Sequence, residues 1–372
     1  MSILIRIFWK VKTLVFVIKF GFQECFFLLF CILITVFTGF SLFSAGSLGH
    51  VDGFGYCVYA NAFFEGKNVY TDSSIYVQSF RYPPLSLYFF KFLCWSNLLY
   101  VLWALPVLLF ILKKIVFPSK NTFCDVFYLV LFTAGFNAMY YNLAMLNIGW
   151  YEAFFVALMV WAVFKKKFYW LPFLVACVAL VKGVPLLYAL LFFLLPLCLK
   201  SRVKMFFDCL VLFSCFHVLN YVLMPKLYVS WVLSVFSGSV IDNSGWVNPS
   251  LWSWCDHNLL AYVVFVSIIF FVFCEVRDRF VGVDLFCVGG LFLLLVIPEL
   301  KVYTFFSVCV FLFVLCRNFV LFDWCVLLFL SCVLPIVLKC FFVSFGFVFL
   351  QFYVFYCFLA CVFFVVWRFG SR

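Results

Sequence analysis

The feature that most constrains this chain is a succession of unbroken apolar runs, several of them closed by a short cluster of lysine or arginine. The first run extends from Cys25 to Phe43, behind Arg6, Lys10, Lys12 and Lys19. A run of about 19 residues, at ~1.5 Å each, crosses the ~30 Å hydrocarbon core of a bilayer. In lipid only a helix or a closed barrel satisfies its own backbone, and runs that do not alternate exclude the barrel. Hydrophobic residues make up 69% of the 372 positions and charged residues 10%, against roughly 45–50% and 25% in soluble domains. So few charges cannot cover a water-facing surface. The 60 phenylalanines also exclude a disordered chain or a collagen.

Further runs begin at Pro83 and end before Lys113-Lys114, then follow at Phe123–Tyr141, Leu146–Phe164, Phe168–Val181, Pro185–Leu199 and Met205–Leu223. The last five are Leu259–Cys274, Phe280–Ile297, Val302–Cys316, Phe319–Leu338 and Cys340–Trp367. Ser96-Asn97 interrupts the second run, whose first part suits the membrane interface. The Phe168–Leu199 pair is short enough for a re-entrant hairpin, so the expectation is 10–12 spans. Basic residues favour one side by roughly three to one, which places both termini in the cytoplasm. The expected fold is an all-α integral membrane protein: one domain over 1–372, a polytopic helical bundle in the cell membrane with two long extracytoplasmic loops.

The net charge of +11 is spread among these clusters rather than gathered on one face, so nucleic acid is not an expected partner. The 19 cysteines sit mostly within apolar runs and form no CxxC pair, which reads as small buried hydrophobes. Only Cys57 and Cys255 fall outside the expected spans, leaving a bridge between those two open.

Polar chemistry gathers in the two loops, Ser44–Tyr82 and Met224–Asn258. Neither contains a P-loop, GxGxxG, HExxH or DxD pattern, and the three histidines have no ligand spacing, so no metal or cofactor is expected. In the first loop Asp52 lies between His50 and the flexible Gly53 and Gly55, where a carboxylate can approach a substrate and act as a base. On composition alone it reads as a solvated loop aspartate. Phe54, Val58, Ala62 and Phe63 recur at helical spacing, predicting an amphipathic interfacial helix over 55–65 that Gly66 ends. In the second loop, Asp256 and His257 stand among Trp246, Trp252 and Trp254. This cluster suits sugar hydroxyls and sugar faces, although each Trp also reads as an interfacial anchor. Lys182, at the apex between two short runs, reads as a phosphate ligand or as a snorkelling lysine.

The first-loop pattern of Asp52, Tyr56, Tyr59, Gly66, Tyr70 and Tyr82-Pro83-Pro84-Leu85 resembles that of the polyprenyl-phosphate-mannose-dependent α-mannosyltransferases, membrane-embedded C-class glycosyltransferases of the bacterial α-1,2-mannosyltransferase type. Ala179-Leu180-Val181-Lys182-Gly183-Val184-Pro185, the later Lys200-Ser201-Arg202, and Asn248-Pro249-Ser250-Leu251 are similar to further elements of that family. Gly149-Trp150-Tyr151-Glu152 stands where the family often has Gly-Gln-x-Asn, and Tyr303 where it often has His. The resemblance implies inverting transfer of a hexose, mannose by analogy, from a polyprenyl-phosphate donor to a lipid or glycan acceptor. Asp52 would be the general base, Lys182, Arg81 and Lys301 would hold the donor phosphate, and Tyr56, Tyr59, Tyr82, Asn248, Tyr303 and His257 would contact substrate. A multi-pass transporter is the rival reading, but it predicts ionisable residues at mid-membrane rather than polar loops on one side.

Overall fold

The computed structural model describes residues 52–72, 75, 80, 82–95, 149–181, 184–236, 250–298, 300–301, 304–317, 319, 321–345 and 352–370. The expected spans Cys25–Phe43 and Phe123–Tyr141 lie outside the described residues. All regular structure among the described residues is helical. In chain order the helices are α1 (Asp52–Phe64), α2 (Ser86–Trp95), α3 (Gly149–Phe164), α4 (Leu171–Val181), α5 (Leu199–Leu223), α6 (Pro225–Phe236) and α7 (Leu251–Trp254). There follow α8 (Leu259–Val276), α9 (Val283–Val296), α10 (Phe305–Cys316), α11 (Leu321–Leu328), α12 (Leu334–Phe345) and α13 (Tyr353–Gly370).

Three stretches, Leu199–Leu223, Leu259–Arg279 and Phe322–Lys339, are long and apolar enough to cross a membrane, and shorter apolar helices pack beside them. The outer faces of the first two carry Val211, Val218, Val222, Phe270 and Phe271, all more than half exposed. Rows of apolar side chains on the outside of a helix suit lipid tails and are costly against water.

At the centre of the bundle, every residue of α10 is buried. It packs on α9, where Gly289 and Gly290 let the helices approach closely. A Cβ built on Gly290 would lie 2.5 Å from the Phe311 ring, and one on Gly289 would lie 2.1 Å from a Leu194 methyl. Small residues at such crossings are the usual device for tight packing where no hydrophobic driving force separates helix from lipid.

The short pair expected as spans or a re-entrant hairpin takes a particular form. A 3-10 turn (Phe168–Trp170) leads into α4, and Val184–Leu194 is itself a 3-10 helix. Its three-residue repeat puts Pro185, Tyr188 and Leu191 on one buried line. Eleven residues at about 2.0 Å rise reach only ~22 Å, so this element is too short to cross a bilayer alone.

One expected boundary is wrong. The turn placed at Lys339 does not exist, because α12 runs through it to Phe345, and the last helix begins at Tyr353. No glycine or proline follows Pro335 to break the helix there. Pro335 is tolerated in the first turn of α12, after a π turn at Phe329–Val333.

The basic clusters gather at one end of the bundle. Lys165, Lys166 and Lys167 close α3, where Lys166 takes a left-handed conformation (φ 54°) in a Schellman-type turn. Arg202 donates to the carbonyls of Phe193 and Leu197 at 2.6 and 2.7 Å. Arg317 grips both oxygens of Asp284 at 2.5 and 3.1 Å, and Arg368 meets Asp323 at 2.8 Å. Ring contacts of Phe369 with Phe280 and Phe319 tie these turns together. We call this the basic end; the opposite end carries the first-loop residues.

Candidate functional site

The first loop folds into a two-helix unit at the end opposite the basic clusters. Asp52 is the first helical residue of α1. Among the described side chains of the apolar stripe expected to lie in the membrane interface, Ala62 is fully buried, while Val58 and Phe63 are half-buried. The packed face is instead Gly55, Tyr59 and Ala62, spaced i, i+4, i+7, and it is covered by Leu87 and Phe90 of α2 together with Val69 and Phe80. The helix therefore exists close to where the sequence places it, but a neighbouring helix claims one side. Gly66 ends it as expected: its φ is +84°, and the Lys67 and Gly66 amides return to the carbonyls of Ala62 and Phe63.

Two bonds bind this unit to itself. Cys57 pairs with Cys94 across α1 and α2. The alternative pairing with Cys255 is excluded, since Cys255 is a free, buried thiol; burial pushes its pKa up. Cys94 sits in an apolar run, yet α2 packs against α1 and brings it to Cys57. The second tie is a phenol network. Tyr56 and Tyr82 share a hydroxyl hydrogen bond of 2.9 Å, and the Tyr70 hydroxyl donates to the Tyr82 carbonyl at 2.6 Å. Burial raises the Tyr70 pKa, so the phenol stays protonated and a donor. Tyr59 lies in the aromatic core against Phe80, while Tyr56 stacks on Phe90 at 4.5 Å and is half-buried.

The unit rests on the bundle at three points. The Leu85 amide donates to Asn220 of α5 at 2.8 Å, Asn68 donates to Ser230 of α6 at 3.2 Å, and Phe89 meets the ring of Tyr151 in α3 at 5.5 Å. Directly after Tyr151 comes Glu152, which is 5% exposed and accepts a 2.9 Å hydrogen bond from Tyr188. The fully buried Ser307, in the first turn of α10, lies beside the Tyr188 hydroxyl. Three helices thus bring a carboxylate, a phenol and a hydroxyl to one level below the loop unit.

The described residues of the second loop are largely helical. In α6, Trp231 stacks on His217 at 5.4 Å, and Tyr228 hydrogen-bonds its Nδ1 at 3.3 Å. Ser250 and Asn258 cap α7 and α8, and between them Asp256 and His257 both adopt left-handed φ values of 52° and 61°. Two consecutive non-glycine residues in that region cost energy. His257 packs edge-on to Trp252, and its buried Nε2 has no hydrogen-bond partner among the described residues. Trp254 donates to the Tyr356 hydroxyl at 3.2 Å.

Of the cations expected at the donor phosphate, Lys301 is described: it is half-buried and its carbonyl accepts the Thr304 amide at 2.9 Å. Lys182, Arg81, Asn248 and Tyr303 lie outside the described residues. Among the described residues no group of His, Cys, Asp or Glu is arranged to hold a metal. The tertiary structure adds Glu152, Tyr188 and Asn220 to the candidates. The signal for Glu152 and Asn220 was present: a lone acid or amide within an apolar run is a functional candidate by default. Comparison of the chain with protein-family models, curated proteins and solved structures finds no match.

Proposed function

We propose that this protein is an integral membrane glycosyltransferase of 10–12 spans, with both termini in the cytoplasm. It moves a hexose, mannose by resemblance, from a polyprenyl-phosphate carrier to a lipid or glycan acceptor on the outer face of the cell membrane. The observation that carries this reading is the folding of the first-loop pattern into one unit. Tyr56, Tyr59, Gly66, Tyr70 and Tyr82-Pro83-Pro84 are drawn together behind a helix that Asp52 opens. The Cys57–Cys94 bridge supports an outer location, because disulfides persist in oxidising compartments. Segregation of the basic clusters to the other end supports the same orientation.

In this reading Asp52 takes the proton of the acceptor hydroxyl as that oxygen attacks the anomeric carbon. The bond from that carbon to the carrier phosphate breaks on the opposite face, and polyprenyl phosphate leaves with its charge neutralised by Lys182, Arg81 and Lys301. Tyr56, Tyr82, Asn248, Tyr303 and His257 would contact sugar or acceptor.

The buried Glu152 favours a second reading, a transporter, since ionisable residues inside a bundle commonly line transport paths. One assay separates the two: purified protein in vesicles is given polyprenyl-phosphate-mannose and a panel of membrane lipids. A transferase cleaves the donor and mannosylates an acceptor, and Asp52→Asn lowers that rate about 10²–10⁴-fold while Glu65→Gln, an exposed acid in the same loop, leaves it near wild type. No donor cleavage, or full activity in Asp52→Asn, refutes the proposal.

A further inference from the structure

The Tyr82-Pro83-Pro84-Leu85 segment has one backbone donor that its own turn cannot satisfy. Pro83 and Pro84 carry no N–H. The amides of Ser86 and Leu87 bond back to the carbonyls of Pro83 and Pro84 at 2.9 and 3.0 Å, and the Ser86 hydroxyl also donates to Pro83. Leu85 is left, at the start of α2 where helices expose unpaired N–H groups. Its partner is the side-chain oxygen of Asn220, 135 positions away, at 2.8 Å.

Asn220 is built for this. It is completely buried, on a helix whose apolar residues are otherwise largely exposed. Its amide nitrogen donates to the Phe216 carbonyl one turn back at 3.0 Å, which fixes the rotamer and presents the oxygen to Leu85. On the other side of the same segment, the Tyr82 hydroxyl shares a hydrogen bond with Tyr56 and its carbonyl accepts one from Tyr70. The four-residue segment is therefore the joint between the helix that Asp52 opens and the bundle.

We propose that Asn220 is a positioning residue: it seats the Tyr82–Leu85 segment on α5 and thereby fixes the height and angle of the Asp52-bearing unit over the bundle. The contribution to turnover rests on the glycosyltransferase reading; the seating does not. The two are tested separately in full-length protein in nanodiscs. Amide hydrogen exchange reads the seating. Asn220→Leu should speed exchange across residues 82–90 by at least about tenfold and leave residues 286–295 of α9 unchanged. Asn220→Asp, which keeps the acceptor oxygen but loses the donor to Phe216, should restore part of the protection. If Asn220→Leu does not fold, Asn220→Gln serves, since it keeps the amide and displaces the oxygen by one methylene. Unchanged exchange in 82–90, or equal acceleration in both segments, overturns the seating. Donor cleavage with polyprenyl-phosphate-mannose reads the positioning: Asn220→Leu should lower kcat about 10–100-fold with little change in donor KM, and Asn220→Asp should recover part of it. A loss confined to KM, or none, overturns the positioning role. Wild-type protein that cleaves no donor refutes the glycosyltransferase reading, and the positioning role with it, while the exchange result still decides the seating.

Discussion

Removing the Cys57–Cys94 bridge by Cys57→Ser with Cys94→Ser should loosen the first-loop unit without disturbing the bundle. The bridge closes a loop with a sequence separation of 37. Loop-closure entropy for a ring of that size corresponds to about 4 kcal/mol at 25 °C. At 1.4 kcal/mol per power of ten, this approaches three powers of ten in the opening equilibrium. The chain around the bridge is also held by the phenol network and by the bundle contacts, which lower the entropy of the opened form. A hundredfold acceleration is therefore the working expectation. The probe is amide exchange at Tyr59, Ala60 and Ala62, which sit on the buried face of α1. Under conditions where closing outpaces exchange, the rate reports the opening equilibrium directly. Residues 305–316 of α10 provide an internal control, because they lie in the bundle core. A change below threefold at Tyr59–Ala62 would refute the argument. So would capture of Cys57 or Cys94 as a free thiol by an alkylating agent in protein isolated without reductant.

Gly290→Ala should destabilise the bundle by about 1–3 kcal/mol through overpacking, because the new methyl meets the ring of the fully buried Phe311. Gly289→Ala should cost less, since its nearest obstacle is the end of the flexible Leu194 side chain, and thermal unfolding in detergent ranks the two. Tyr188→Phe removes a donor from the buried Glu152 and should cost about 1.5–3 kcal/mol. Tyr56→Phe breaks a neutral, half-buried bond and should cost about 0.5–1.5 kcal/mol. Equal melting temperatures for these last two variants would contradict the larger contribution assigned to the buried Glu152 bond.

Several features are legible in the chain itself because they depend on local chemistry. Apolar runs that water cannot solvate specify helices, and the described helices begin and end within a few residues of those runs, apart from the boundary at Lys339. Gly66 ends α1 because a left-handed residue is needed there whatever surrounds it. Clusters of lysine and arginine mark the ends of the runs, so their gathering at one end of the bundle follows from the order of the runs.

What the chain leaves undecided are the partnerships between distant residues. Val58 and Phe63 looked like the apolar face of α1 by spacing, but α2 covers the Gly55–Tyr59–Ala62 face instead. Periodicity shows that a helix has an apolar side; which side is buried depends on the neighbour. Cys57 found Cys94 rather than Cys255, because pairing is set by the distance between α1 and α2. Asn220 and Leu85 are separated by most of a bundle along the chain, and a single amide in an apolar run carries no mark of the proton it will accept. Glu152 shows the same limit: the sequence places an acid inside a membrane helix, and only packing brings Tyr188 to it. Burying a polar group in an apolar bundle is costly unless it is paired, so tertiary structure had to supply partners that no local pattern could name.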